Sequence, residues 1–451
     1  MSTFAVLNPA TEQVLQTFEE ATADAVDDAV ARAKAAAPGW AAVAPTDRGR
    51  LLRRFADKVA EHAEELAALE TANVGAPLAS TRWQANTVAD VLHYYAGAVD
   101  KHTGDTIPVA GGVAMTFHEP LGVVGLITPW NFPMLIASWK LGPALACGNT
   151  VVLKPAEMTP LTSVRLAELA LEAGIPSGVL EVVVGPGSVA GWRLVEHPDV
   201  AKIGFTGSTD VGKRIMAGCA QQVKRVTLEL GGKSATVVFG DADLQAAAAA
   251  APGAVFDNTG QDCCARSRIL VERSVYDRFL ALLVEATAAV TVGDPTTDVT
   301  MGPLVSAAQR EAVQSFFDGS FPIAYQGTVP QGPGYWFPAT VVAPADPGSR
   351  IATDEIFGPV VAVIPFEDEA HAVALANDTI YGLSGSVWTR DAARSLRVAR
   401  AIHTGVLSIN SNSSVRFSTP FGGFKQSGLG RELGMAALAS YSEIKTVFTA
   451  T

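Results

Sequence analysis

From Leu121 onward, short β-branched runs alternate with stretches of helical character, and no other feature of the sequence restricts the fold as much. The runs are 123–127, 150–153, 182–184, 202–205 and 226–228. Apolar along their whole length, they read as strands buried on both faces, the mark of a parallel sheet. Parallel strands need crossover helices, and 160–172 has well-marked ends for one, with Thr159 to cap it, Pro160 in its first turn and Gly174 just beyond. Repeated strand, helix, strand units predict an α/β fold with a doubly wound sheet. Ligands of such sheets bind beyond the carboxyl ends of the strands.

Those strand ends carry chemistry. The first is followed by Thr128, Pro129, Trp130, Asn131, Phe132 and Pro133, the second by Lys154, Pro155, Ala156 and Glu157. The fourth leads through Thr206, Gly207 and Ser208 into a helix, and the fifth ends in Glu229 ahead of Gly231 and Gly232. Gly207 and Ser208 suit a phosphate, because a helix N-terminus offers free N–H groups and the positive end of its dipole. Glu157 is placed to accept from ribose hydroxyls and would repel a 2′-phosphate, which favours NAD over NADP. Gly185, Gly187 and Ala190 fit a GxGxxA pattern, but no acidic residue follows at the usual distance, and a plain strand-to-helix turn explains them as well.

The flanking regions are simpler. Residues 20–100 carry apolar positions at helical spacing, as in Leu52, Phe55 and Val59, and read as covering helices. Residues 113–118 form a short strand or ribbon. The uncharged stretch 121–139 holds Gly122, Gly125, Pro129, Asn131 and Pro133, so a strand and a loop fit better than a membrane span. A second α/β segment begins at 235–239, with an alanine helix over 246–251 ending at Pro252 and Gly253, a strand at 268–271 and further units to about residue 410. Residues 419–434 are a glycine-dense loop. The tail 443–449 alternates like a strand, has no evident partner in its own chain and could add to a neighbouring subunit.

A chain of 451 residues, 48% hydrophobic, divides into two or three domains. Its net charge of −12 argues against nucleic acid and anionic membrane as partners and leaves small molecules. The start of the chain lacks the basic and apolar runs of a secretory signal. Cys147, Cys219, Cys263 and Cys264 make neither a disulfide framework nor a CxxC metal spacing, which fits a reducing compartment, the cytoplasm. No histidine pair has the spacing of a helical zinc site, so no metal is expected. The adjacent thiols Cys263 and Cys264 follow a polar turn, and composition alone reads them as small buried apolar residues.

Several long motifs then coincide in order: TPWNFP at 128–133, KPAE at 154–157, GFTGST at 204–209, LELGGKS at 228–234, GQDCCA at 260–265, EIFGPV at 355–360 and PFGGFKQSGLGRELG at 420–434. Together they resemble the NAD(P)-dependent, non-acylating branch of the aldehyde dehydrogenase superfamily, from residue 7 almost to the C-terminus. The resemblance implies a Rossmann-like cofactor domain (1–101 and 121–232), an α/β catalytic domain (233–430) and a small β oligomerisation arm (102–120 and 431–451), in a homodimer or homotetramer. It implies Cys263 as nucleophile, Glu229 as general base, Asn131 as oxyanion donor and Lys140 as a lysine linked to the base through a proton relay. Around the dinucleotide it implies Ile127, Trp130, Lys154, Glu157, Thr206, Gly207 and Ser208, with Glu355 and Phe357 at the nicotinamide end.

The chemistry is coherent without the family. A thiolate adds readily to an aldehyde, and hydride leaves the tetrahedral adduct more easily than it leaves a carbonyl. Donors fixed beforehand stabilise the oxyanion, and a carboxylate of raised pKa activates the water that hydrolyses the resulting thioester. The substrate entrance is expected among Phe132, Trp139, Phe421, Asp262, Cys264 and the loop 411–419 with Arg416. Aromatic rings there suit an aminoaldehyde cation, whereas Arg416 suits a semialdehyde or γ-glutamyl aminoaldehyde. Asp262 beside the nucleophile would oppose thiolate formation unless it points away. A thiol esterase or acyl transferase is the rival reading, and it leaves Glu157, Ser208 and Glu355 without a purpose.

Overall fold

The computed structural model describes residues 2–317, 319 and 321–450. The five runs form one sheet in the order Gly428–Leu429, Arg225–Glu229, Val200–Thr206, Val123–Ile127, Thr150–Lys154, Leu180–Val182. All neighbours are parallel except the short Gly428–Leu429 strand, which closes the edge antiparallel to Arg225–Glu229. Val123–Ile127 is central: the chain winds outward through Thr150–Lys154, then returns to Val200–Thr206 on the other side. That reversal opens a crevice at the carboxyl ends of these strands, where ligands of open α/β sheets bind. Leu126, Val151, Leu153 and Ile136 fill the core on one face, and Val123, Val152, Ile203 and Leu194 fill it on the other.

A second sheet runs Ile323–Gln326, Thr340–Val342, Val360–Phe366, Arg268–Glu272, Ala235–Val238, Ser384–Trp388, Val406–Ile409, parallel except at the first pair. Cores of Val237, Leu270 and Ile364 on one face and of Val238, Ile269 and Phe279 on the other hold it between helices. Four helices, Ala23–Ala41, Pro45–Glu61, Ala63–Val74 and Leu78–Ala98, cover the N-terminal side as their periodicity predicts. Before them lies a hairpin, Thr3–Leu7 against Val14–Glu19, that no sequence pattern marked.

Four local expectations change. The third strand is Leu180–Val182, two residues earlier than its run; Val183 N still donates to Leu153 O at 3.0 Å, and Val184 O accepts from Ala21 N at 2.9 Å. Thr159 does not cap: the helix is Leu161–Glu172, and the Thr159 hydroxyl is buried without a partner. The alanine helix spans Leu244–Val255, continuing through Pro252 and Gly253, and is capped by Asp243 accepting from Ala246 N at 3.1 Å. The tail has a partner in its own chain: Ser442–Ala450 pairs antiparallel with Gly112–Pro120, which in turn pairs with Thr106–Val109. No helix among the described residues is long and apolar enough to cross a membrane.

Candidate active site

The loop carrying Cys263 is held in an uncommon backbone shape. After the helix ends at Val255, Asn258, Thr259 and Gly260 all have positive φ, of 49°, 61° and 70°. For the two non-glycine residues this costs of order 1–3 kcal/mol each. Gly260 has no alternative, since a Cβ there would lie 2.2 Å from the Gly358 carbonyl oxygen. Buried hydrogen bonds hold the turn: Thr259 Oγ1 donates to Gly302 O at 3.0 Å, and Gln261 Oε1 accepts from Val305 N at 2.9 Å. Asn258 Nδ2 donates to Asn131 O at 2.8 Å, and Asn131 Nδ2 donates to Gln261 O at 2.9 Å. The expected oxyanion donor is thus tied to the cysteine loop, with its second amide hydrogen uncommitted.

Glu229 is the last residue of its strand, opposite Thr206. Its carboxylate is buried and neither oxygen has a hydrogen-bond partner. Burial pushes its pKa well above the ordinary value, and the Glu432 carboxylate pushes it further, while Lys140 and Arg431 pull the other way. Such a group is a carboxylic acid at low pH and becomes a base as pH rises. The Cys263 thiol is also shifted upward, chiefly by its hydrogen bond with Cys264 and by burial, then by the nearby Cys264, Asp262 and Glu355. Asp262 does not point away. Its Oδ1 accepts from Cys264 N at 2.9 Å, and its oxygen and the two sulfurs lie within 4.8 Å of one another. These neighbours oppose thiolate formation at Cys263. The same three donors could hold a thiophilic cation, which would block the nucleophile.

One cavity of about 610 Å³ is lined by all the expected cofactor residues, Ile127, Trp130, Lys154, Glu157, Thr206, Gly207, Ser208, Glu355 and Phe357, together with Asn131, Glu229 and Cys263. At one end Lys154 Nζ meets Glu157 Oε2 at 3.1 Å. In the middle Ser208 caps the helix Thr209–Ala220. Near Cys263, Phe357 stands edge-on to Trp130 with centroids 5.2 Å apart, and Glu355 Oε1 accepts from Gly232 N at 2.9 Å. Burial raises the Glu355 pKa to about 7. The Thr128 and Thr206 hydroxyls, on residues of the cavity wall, are buried and unpartnered. A volume of this size with polar groups spaced along it fits a dinucleotide.

A second cavity, of about 460 Å³, is lined by the neighbours of Cys263, Asp262 and Cys264, and by Trp139 and Arg416. Two expected substrate residues lie elsewhere. Phe132 precedes the helix Pro133–Ala146 and is packed in the core of the first sheet, lining neither cavity. Phe421 stands behind Trp139, centroids 5.1 Å apart, in a cluster with Cys264, Leu383 and Leu433. Lys140 is fully buried and its ammonium pairs with Glu432, not with Glu229.

Sequence reasoning missed Glu432, which shares the Glu229 environment; its signal was an acidic residue closing a glycine-dense loop. Gly187, weighed in a GxGxxA pattern and set against a plain turn, lines the first cavity; Ser188 and Arg214 there were missed, as were Trp83, Asp90 and Asp257 in the second cavity. These last three come from helices read only as covers or from a turn flank.

Two α/β sheets, a dinucleotide-sized crevice at the switch point of the first, and a buried carboxyl and a cysteine on its wall are the arrangement of a dinucleotide-dependent enzyme. The aldehyde dehydrogenase family model matches residues 1–447, and the chain belongs to that family. An aldehyde dehydrogenase of Emericella nidulans is 44% identical over 99% of this chain and 91% of its own length. A betaine aldehyde dehydrogenase of Sinorhizobium fredii is 44% identical over 98% and 92%. The solved structure of betaine aldehyde dehydrogenase from Staphylococcus aureus in complex with NAD⁺ has a TM-score of 0.97 at 38% identity, covering 99% of this chain and 91% of that one.

Proposed function

We propose that this protein oxidises an aldehyde to its carboxylic acid with NAD⁺ through a covalent adduct on Cys263. One observation carries the reading: Cys263 lines the dinucleotide-sized cavity while its neighbours Asp262 and Cys264 line the second, so the thiol stands where the two meet. The second cavity delivers the aldehyde. Cys263 Sγ adds to its carbonyl carbon, and the oxyanion forms beside Asn131 Nδ2 and the Cys263 N–H, donors worth about 3 kcal/mol each. Lys154, Glu157, Ser208, Glu355 and Phe357 line the cavity and would hold NAD⁺, which would supply the hydride acceptor for oxidation of the adduct to a thioester. Glu229 takes a proton from water as that water attacks the thioester, and the carboxylate product leaves.

The substrate is an aldehyde with a positive charge, an aminoaldehyde ahead of a γ-glutamyl aminoaldehyde or a semialdehyde. Asp90, Asp257 and Asp262 line the second cavity with Trp83, Trp139 and Phe417. The two arginines there are already engaged. Arg266 donates to Ser414 Oγ at 2.9 Å and to Asn412 O at 3.3 Å; Arg416 donates to Ser413 Oγ at 2.7 Å and to Val415 O at 2.8 Å. Carboxylates and aromatic faces are left to meet a cation. The relatives named for betaine aldehyde point the same way. The four free cysteines suit the cytoplasm. The test is NADH formation from a panel of cationic, neutral and anionic aldehydes. Highest kcat/KM for a cationic aldehyde is expected; ester hydrolysis without any NAD⁺-dependent aldehyde oxidation would favour the esterase reading instead.

A further inference from the structure

Arg266 follows Cys263 by three positions and stands two before the strand Arg268–Glu272. Its backbone N donates to Ala254 O at 2.9 Å, which ties it to the last turn of the helix Leu244–Val255. Its side chain is buried, which is uncommon for an arginine. From there the guanidinium reaches two segments at once. Nη1 donates to the Cys264 carbonyl, in the cysteine turn, while Nη2 donates to Ser414 Oγ at 2.9 Å and to Asn412 O at 3.3 Å, in the loop 411–419.

The loop end of this link is itself anchored. Ser414 Oγ lies 3.1 Å from Ser384 Oγ, at the start of the strand Ser384–Trp388, and Asn412 Nδ2 donates to Ala250 O at 3.1 Å, in the alanine helix. The second cavity lies between the two linked segments. Asp262, Cys264 and Arg266 line it from the nucleophile side, and Asn412, Ser413 and Val415 line it from the loop side. Among the described residues, the only hydrogen bonds that join 257–266 to 411–419 are those of the Arg266 guanidinium.

The link is kept at a cost. Nε has no hydrogen-bond partner, and an apolar side chain of similar size would close the wall without burying a charge. Burial lowers the Arg266 pKa, and Cys264, Asp262 and Cys263 oppose that shift. What an apolar side chain lacks is the means to hold two segments in register, which the planar fork of a guanidinium does with directional bonds on both sides.

We propose that Arg266 is a positioning residue for aldehyde specificity: it fixes the separation of the loop 411–419 from the cysteine turn, and so sets how bulky a substituent the second cavity holds while the carbonyl carbon meets Cys263. The inference rests on Cys263 being the nucleophile and on the second cavity receiving the aldehyde. A compact substituent that fills the fixed gap is held against Sγ. With the link cut, the loop is free to retreat, so compact aldehydes lose part of their hold and branched ones gain room. Asn131 and Glu229 line the other cavity and neither is hydrogen-bonded to Arg266, so the chemical steps at saturating aldehyde do not depend on the link.

The test compares Arg266→Met, Arg266→Lys and Ser414→Ala with the parent enzyme across straight-chain and branched aldehydes, reading KM and kcat for each and hydrogen exchange in the peptide 411–417. Arg266→Met is expected to raise KM for the parent's best aldehyde about tenfold, to leave kcat at saturation within about twofold, and to narrow the preference for compact over branched aldehydes. Faster exchange at 411–417 should accompany it. Arg266→Lys keeps the charge without the fork and should behave like Arg266→Met. Ser414→Ala should move KM and exchange the same way by less, and it serves if neither Arg266 variant folds. Parent-like KM and exchange in whichever of these variants folds, full recovery in Arg266→Lys, or a fall in kcat with KM unchanged would overturn the proposal. Failure of the underlying reading is recognised separately, by an NADH burst and turnover that survive in Cys263→Ala.

Discussion

Cys263 and Cys264 are adjacent in sequence and different in circumstance. Cys264 packs against Leu383, Phe421 and Leu433, whereas Cys263 faces the large cavity. Cys263→Ala should abolish both the NADH burst and turnover, and Cys264→Ala should keep both; stopped-flow absorbance separates the two cases. Glu229→Gln should keep the burst and lose roughly 10²–10⁴ in steady-state rate. The upward shift of the Glu229 pKa fixes the sign of the pH dependence. The group is protonated and inactive below its raised pKa and becomes a base above it, so kcat should rise with pH through that value, later than an ordinary glutamate would give. Cys263 and Glu229 were legible in the sequence through the motifs around them. The Asp262 orientation was not, because side-chain direction in a loop depends on the turn, here three consecutive residues of positive φ.

At the level of elements, strand ends did the predicting. Four of them carried residues that line the cavity, as expected where ligands bind beyond the carboxyl ends of parallel strands. Lys154 and Glu157 illustrate this, and Glu157→Gln should raise kcat/KM with NADP⁺ by about tenfold relative to NAD⁺ by removing one repulsion from a 2′-phosphate. What strand ends could not give were contacts made across the fold. Phe132 was expected at the entrance and lies in the core, because the helix it precedes turns it inward. Lys140, expected to be linked to the base through a proton relay, meets Glu432, 292 positions away, a contact that sequence spacing could not show. Removing one partner of that buried pair leaves the other charge unmatched, so Lys140→Met should cost about 3–5 kcal/mol in urea unfolding.

At the scale of the whole molecule, the described residues include a long strand edge without a partner. Ser442–Ala450 is the outer strand of its three-stranded sheet and exposes Ile444, Val447 and Phe448. An apolar edge strand of this length pairs with another chain or aggregates. The oligomer expected from the sequence therefore remains our proposal, although the tail also pairs within its own chain. Phe448→Lys should shift the protein toward monomer in light scattering coupled to size exclusion, and an unchanged mass would remove the arm from the interface. The tail was misread because its partner, Gly112–Pro120, lies more than 300 residues upstream and sequence periodicity cannot see across that span. Cys263 lines the dinucleotide-sized cavity and Cys264 the second, and the proposed function requires Cys263 to carry the acyl group. The most direct measurement is peptide mass spectrometry of Glu229→Gln quenched after mixing with aldehyde and NAD⁺. An acyl adduct on the peptide at Cys263, formed in step with the NADH burst, is the predicted result; a full burst with Cys263 unmodified, or with the adduct on Cys264, would contradict it.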